Sequence, residues 1–202
     1  KIFSEYMFIK NFRYDSKFSK KIMIENQEEL EKIKLQKKPV IFISGHFSNF
    51  ELMAMHLEKS NINLAAVYRP LNNKFLNPLM ERIRKKYICT KQIKKGISGT
   101  KELLKEFKNG TSIALMIDQR VSEGIKSELF GQKALTTTIP AQFIKKFDAT
   151  VVPIYIERLM DDTFKLKILN AVKFSKNETT NDITHKLNKI LERMIMSNPD
   201  QW

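Results

Sequence analysis

Short runs of β-branched and other apolar residues alternate along the chain with longer stretches in which apolar positions recur every three or four residues. This is the pattern of an α/β sandwich. Residues 26–38 carry Leu30, Ile33 and Leu35 at helical spacing, and Pro39 then opens the run Val40-Ile41-Phe42-Ile43. That run is apolar throughout, which predicts a buried strand. It leads into Gly45-His46-Phe47-Ser48-Asn49 and a helix over about 50–59. A strand over 64–68 reaches the turn at Arg69-Pro70. A basic helix over 74–86 follows, then one over 99–108 that Asn109-Gly110 stops. Residues 112–117 repeat the geometry of the first buried strand and deliver Asp118-Gln119 to a loop. A helix over 139–147, strands over 151–156 and 164–169, and a closing helix over 181–196 complete the series. No repeat, low-complexity tract or linker divides these elements. The fold class is therefore α/β, a single-domain sandwich with a mixed central β-sheet flanked by helices.

At 202 residues the chain is long enough to bury a continuous core in one domain. Its single cysteine, Cys89, excludes an internal disulfide, and three histidines without a cysteine framework argue against zinc. His56 does not complete an H-E-x-x-H site with Glu51, so no metal and no cofactor are expected. No apolar run is long enough to span a bilayer. Tyr6-Met7-Phe8-Ile9, between Lys1 and Lys10, fits either a bilayer surface or a packed helix. The formal charge of +14 points to an anionic partner, although a lysine-rich proteome would also produce it. A nucleic acid would need aromatic residues interleaved with the basic stretch 82–95, which offers only Tyr87, so no nucleic acid is expected. Gly96-Ile97-Ser98-Gly99-Thr100-Lys101 lacks the glycine-lysine-hydroxyl ending of a phosphate loop and follows no clear strand.

The informative stretch is Gly45-His46-Phe47-Ser48-Asn49-Phe50-Glu51, an H-x4-E spacing at a strand-to-helix turn. In one reading the Glu51 carboxylate accepts a hydrogen bond from one imidazole nitrogen of His46 and leaves the other free to act as a base. In the other, Ser48-x-x-Glu51 is a capping box and the glutamate satisfies a backbone amide. The chain has no G-x-S-x-G elbow, and Cys89 has no histidine beside it, so a covalent enzyme intermediate is not expected.

These residues, with others downstream, resemble the lipid A biosynthesis lauroyl/myristoyl acyltransferases, a branch of the lysophospholipid acyltransferase superfamily. Residues 45–51 are similar to the family's G-H-F-G-N-W-E signature, with Ser48 and Phe50 in place of glycine and tryptophan. Tyr68-Arg69-Pro70 with Asn72-Asn73 resembles its Y-R-P turn, and Asp118-Gln119 its D-Q motif. Arg84, Phe130-Gly131, Thr136-Thr137-Thr138 and Asn198-Pro199-Asp200-Gln201-Trp202 match further landmarks in order.

The resemblance implies a fold like that of the glycerol-3-phosphate/lysophospholipid acyltransferases. It implies transfer of a fatty acyl chain from a thioester, on acyl carrier protein or coenzyme A, to a hydroxyl of a lipid A precursor. The alternatives are acceptance by another glycolipid or a glycerophospholipid and, outside catalysis, a basic membrane- or nucleic-acid-binding protein. His46 would be the general base and Glu51 its orienting partner; Arg69, Arg84, Asp118 and Gln119 would contact substrate, Arg84 through a phosphate. The resemblance further implies a membrane-surface partner, the cytoplasmic face of a bacterial inner membrane, an amino-terminal membrane helix, and a W-x-H-R-R segment at the other end. On that reading the chain is a catalytic core cut at both ends.

Overall fold

The computed structural model describes residues 2–202; Lys1 lies outside them. Short helices α1 (Ile2–Glu5), α2 (Ile9–Tyr14) and α3 (Ser16–Ser19) lead to β1 (Ile22–Glu25) and α4 (Gln27–Gln36). The central run follows as β2 (Ile41–Ser44), α5 (Glu51–Lys59), β3 (Leu64–Tyr68), α6 (Leu76–Tyr87), β4 (Lys91–Lys94), α7 (Ile97–Lys108) and β5 (Ser112–Met116). A hairpin of β6 (Ile125–Leu129) and β7 (Gln132–Thr136) precedes α8 (Ile139–Phe147), β8 (Val151–Arg158), β9 (Phe164–Ile168) and α9 (Thr180–Ser197).

Among the described residues one seven-stranded sheet runs in the order β1-β9-β8-β2-β5-β3-β4, parallel except where β8 meets β9. It is the mixed sheet expected from the sequence. Every residue of β2 is buried, as its unbroken apolar run requires of a strand covered on both faces. Beside it β8 is buried through seven of its eight positions. Ile41, Phe42, Val151, Val152 and Ile156 form the centre of the core, which α5, α8 and α9 close with Leu52, Phe143 and Leu191.

The strands the sequence did not announce are β1, β4 and the hairpin. β1 alternates half-buried and exposed positions, β4 buries only Ile93, and the hairpin is largely polar. Strands at the rim of a sheet need little apolar content, so their signal is weak. β4 also corrects one expectation: the glycine-containing stretch at 96–101 does follow a strand, although the phosphate-loop ending is still missing.

The register sets the site. Ser44 of β2 lies opposite Met116 of β5, so the segments leaving both strands start side by side at the carboxyl edge of the sheet. On the far side Tyr68 of β3 lies opposite Lys94 of β4. Open α/β sheets bind ligands at this edge.

Gly99 shows how closely α7 lies on β4, since a Cβ there would stand 1.7 Å from the carbonyl oxygen of Lys94. Backbone cannot yield as a side-chain tip can. Gly99→Ala is expected to cost at least about 1–3 kcal/mol of stability in urea unfolding; a midpoint equal to wild type would mean that helix and strand are not in such contact.

Candidate active site

His46 and Asp118 stand 72 residues apart and meet because each lies two positions beyond the registered pair Ser44 and Met116. The imidazole Nδ1 is 2.7 Å from Asp118 Oδ1. The His46 backbone N–H donates to Oδ2 at 2.7 Å, and the Trp202 indole Nε1–H donates to the same oxygen at 3.0 Å. Burial opposes ionisation of this carboxylate, but the hydrogen bonds from His46 and Trp202 and the imidazole's charge outweigh it, so its pKa lies below the ordinary aspartate value. An ionised carboxylate only accepts, so the imidazole carries its proton on Nδ1 and presents a bare Nε2. Gln119 offers its side-chain amide to that nitrogen at 3.3 Å, a place a substrate hydroxyl can take. The edge of Phe50 packs on the imidazole at 4.9 Å between centroids.

Glu51 is elsewhere, which revises two expectations. Its Oε1 accepts from Arg84 Nε at 2.8 Å, pairs with Arg84 Nη2 at 2.7 Å, and accepts from the Tyr6 hydroxyl. The bond to the imidazole expected of Glu51 is thus made by Asp118, because the first turn of α5 directs Glu51 toward α6 and the amino-terminal segment. Arg84, expected to hold a phosphate, has its charge matched within the protein. The capping box does not form either: Phe50 stands at the N-cap without a side-chain cap bond, and the Ser48 hydroxyl is buried without a partner. Ser48 has φ +43°, a left-handed conformation that favours glycine, the residue the resembled signature carries there.

Both chain ends tie down this turn. The Ser48 N–H donates to the Gln201 carbonyl at 2.7 Å, and Gln201 Oε1 accepts from the Arg158 backbone at 2.8 Å. Glu5 pairs with Arg158 and accepts from Asn49 at 2.6 Å. Burial and the neighbouring Glu51 push the Tyr6 phenol far above its usual pKa, so it stays a donor. Sequence reasoning missed Tyr6 and Trp202 as site residues, since neither belongs to a local motif near His46.

Beyond His46 opens a cavity of about 410 Å³. Met53, Leu57, Ala66, Leu115 and Ile154 line its buried part, while Arg69, Asn72, Lys95 and Gln119 stand exposed at its mouth. The Cys89 thiol is buried, and burial pushes its pKa up to about 12, which suits a packing residue and not a nucleophile. Among the described residues no group of histidine, cysteine and carboxylate side chains could hold a metal ion.

A histidine held by a carboxylate thus stands at the carboxyl edge of a mixed α/β sheet, above an apolar cavity. The chain belongs to the bacterial lipid A biosynthesis acyltransferase family, whose model matches residues 2–202. Its fold is similar to the crystal structure of the 1-acyl-sn-glycerophosphate (LPA) acyltransferase, PlsC, from Thermotoga maritima. That match has a TM-score of 0.53 and 16% identity, and covers 100% of this chain and 80% of that one. No curated protein sequence matches.

The Arg84 and Glu51 side chains are 13% and 8% exposed, so removing one strands the other's charge. Arg84→Met alone is expected to cost about 3–5 kcal/mol of stability, and Arg84→Met with Glu51→Leu much less. A double variant as unstable as the single one would show that the pair is not coupled; denaturant melts of the three proteins decide.

Proposed function

We propose that the protein transfers a fatty acyl chain from an acyl carrier protein thioester to a hydroxyl of a lipid A precursor, with His46 as the general base. The observation that carries this reading is the His46 imidazole, held through Nδ1 by Asp118, at a cavity that is apolar where buried and polar at its mouth. At about 410 Å³ the cavity lies within the roughly 300–1,000 Å³ of small-molecule sites and suits an extended hydrocarbon chain.

In the step proposed, Nε2 takes the acceptor's hydroxyl proton as the oxygen attacks the thioester carbonyl. The C–O bond forms, the C–S bond breaks, and the imidazolium returns the proton to the leaving thiolate. Asp118 holds the tautomer and stabilises the imidazolium, as the carboxylate of a catalytic triad does. Glu51 acts at one remove, by fixing Arg84 and Tyr6 beside the turn that carries His46.

The family's description supports a lipid A precursor as acceptor. The net charge of +14 supports an acidic carrier protein as donor over coenzyme A, by steering encounter. Among the described residues no helix is long and apolar enough to cross a membrane. Phe75, Leu76 and Leu79 nevertheless stand exposed in the segment that follows Asn72 of the cavity mouth, with Lys74 and Arg82 beside them in sequence, a composition suited to an anionic bilayer surface. We place that surface at the cytoplasmic face of the inner membrane.

Mass spectrometry of lipids formed from defined thioesters and acceptors tests the reaction; transfer to glycerophospholipids alone would replace the acceptor proposed. For the mechanism, Asp118→Asn is expected to lower kcat roughly 10²- to 10⁴-fold. Glu51→Gln, which can still bond Arg84 and Tyr6, should keep most of the rate. If the glutamine variant falls that far and the asparagine variant does not, Glu51 and not Asp118 acts on the base.

A further inference from the structure

Three cationic side chains line the cavity, Arg69, Arg84 and Lys95. Arg84 is matched by Glu51. Arg69 and Lys95 make no ion pair and no side-chain hydrogen bond among the described residues, although they are neighbours. β3 and β4 are parallel with Tyr68 opposite Lys94, and the Lys95 N–H donates to the Tyr68 carbonyl at 2.8 Å. Arg69 and Lys95 therefore leave adjacent strands side by side, about 4.8 Å apart in the ladder direction. Burial, and after it the charge of Arg69, hold the Lys95 ammonium below the usual lysine pKa, while Glu123 pulls weakly the other way. Two like charges held together, with no carboxylate in ion-pair reach of either among the described residues, oppose folding, and a bound anion would offset that cost. Asn72 lines the same cavity and adds a neutral donor.

We propose that Arg69 and Lys95 form a two-cation clamp for a phosphate group at the mouth of the cavity. The assignment rests on the acyl-transfer reading of the site, and it moves phosphate recognition from Arg84 to this pair. A guanidinium fork beside a mobile ammonium matches a multiply charged tetrahedral oxyanion better than a single carboxylate. With hydrocarbon surface behind it, the cavity fits an amphiphile bearing a phosphate. Two sources supply that chemistry, a phosphorylated headgroup on the acceptor lipid or the phosphate of the donor's carrier arm.

The test uses the full chain, an Arg69→Gln/Lys95→Gln double variant, and a Lys105→Gln/Lys108→Gln control with the same charge change on the last turn of α7, away from the cavity. Inorganic phosphate binding is measured at constant ionic strength. KM is measured for a phosphorylated lysolipid and its dephosphorylated counterpart, and for a thioester on a phosphopantetheine arm and one on N-acetylcysteamine. The clamp predicts that the double variant alone loses phosphate binding. It also predicts a roughly 10- to 100-fold rise in KM for one phosphate-bearing substrate, with kcat little changed, since each charged hydrogen bond is worth about 1.5–3 kcal/mol. A rise confined to the phosphorylated lipid identifies the acceptor as the source; one confined to the carrier-arm thioester identifies the donor. Unchanged KM values in the double variant, or an equal rise in the control, overturn the clamp. A wild-type protein that transfers no acyl chain overturns the transferase reading instead, and phosphate binding then decides the clamp alone.

Discussion

The active edge depends on one hydrogen bond across a parallel ladder, from the His46 imidazole to the Asp118 carboxylate. It exists because β2 and β5 are neighbours in a register that pairs Ser44 with Met116, and both strands end at the same height. The buried apolar cores of those strands fix the register, since a slip would move apolar side chains out of the layers that cover them. The Asp118 carboxylate can be taken from water only because three N–H groups satisfy it, two from His46 and one from Trp202. The carboxyl-terminal segment thereby becomes part of the support of the His46 imidazole.

Charge is sorted around this bond. Glu51, Arg84 and Tyr6 form a matched cluster that joins α5, α6 and the amino-terminal segment. A buried pair of this kind contributes little net stability but is costly to break from one side, so it serves to hold position. Among the described residues Arg69 and Lys95 form no ion pair at the mouth, where both are exposed to solvent. Glu51 and Arg84, like Arg69 and Lys95, line the cavity.

Much of the fold was legible in the sequence. Val40 to Ile43, residues 112–117 and 151–156 are apolar runs that only a covered strand explains, and they became β2, β5 and β8. β1, β4 and the hairpin were not legible: β1 is only four residues long, β4 sets lysine and glutamine around a single buried Ile93, and the hairpin is a separate, largely polar two-stranded sheet. At the candidate site, the sequence singled out His46, Glu51, Arg84, Asp118 and Gln119, which the structure brings to one edge of the sheet, but not the partners of Glu51 and Asp118. H-x4-E is a local spacing and invites a local pairing. The bond that forms spans 72 residues and follows from register, which a single sequence does not display. Even so, the equal offset of His46 and Asp118 from two similar buried strands was a usable signal.

The tautomer of His46 tests the central claim most directly, and nitrogen-15 NMR of the imidazole reads it. With Asp118 as the orienting carboxylate, the neutral ring carries its proton on Nδ1 and leaves Nε2 bare. That state persists in Glu51→Gln and gives way to a mixture of tautomers in Asp118→Asn. A ring protonated on Nε2 in the wild-type protein, or a tautomer lost in Glu51→Gln and kept in Asp118→Asn, would contradict the account.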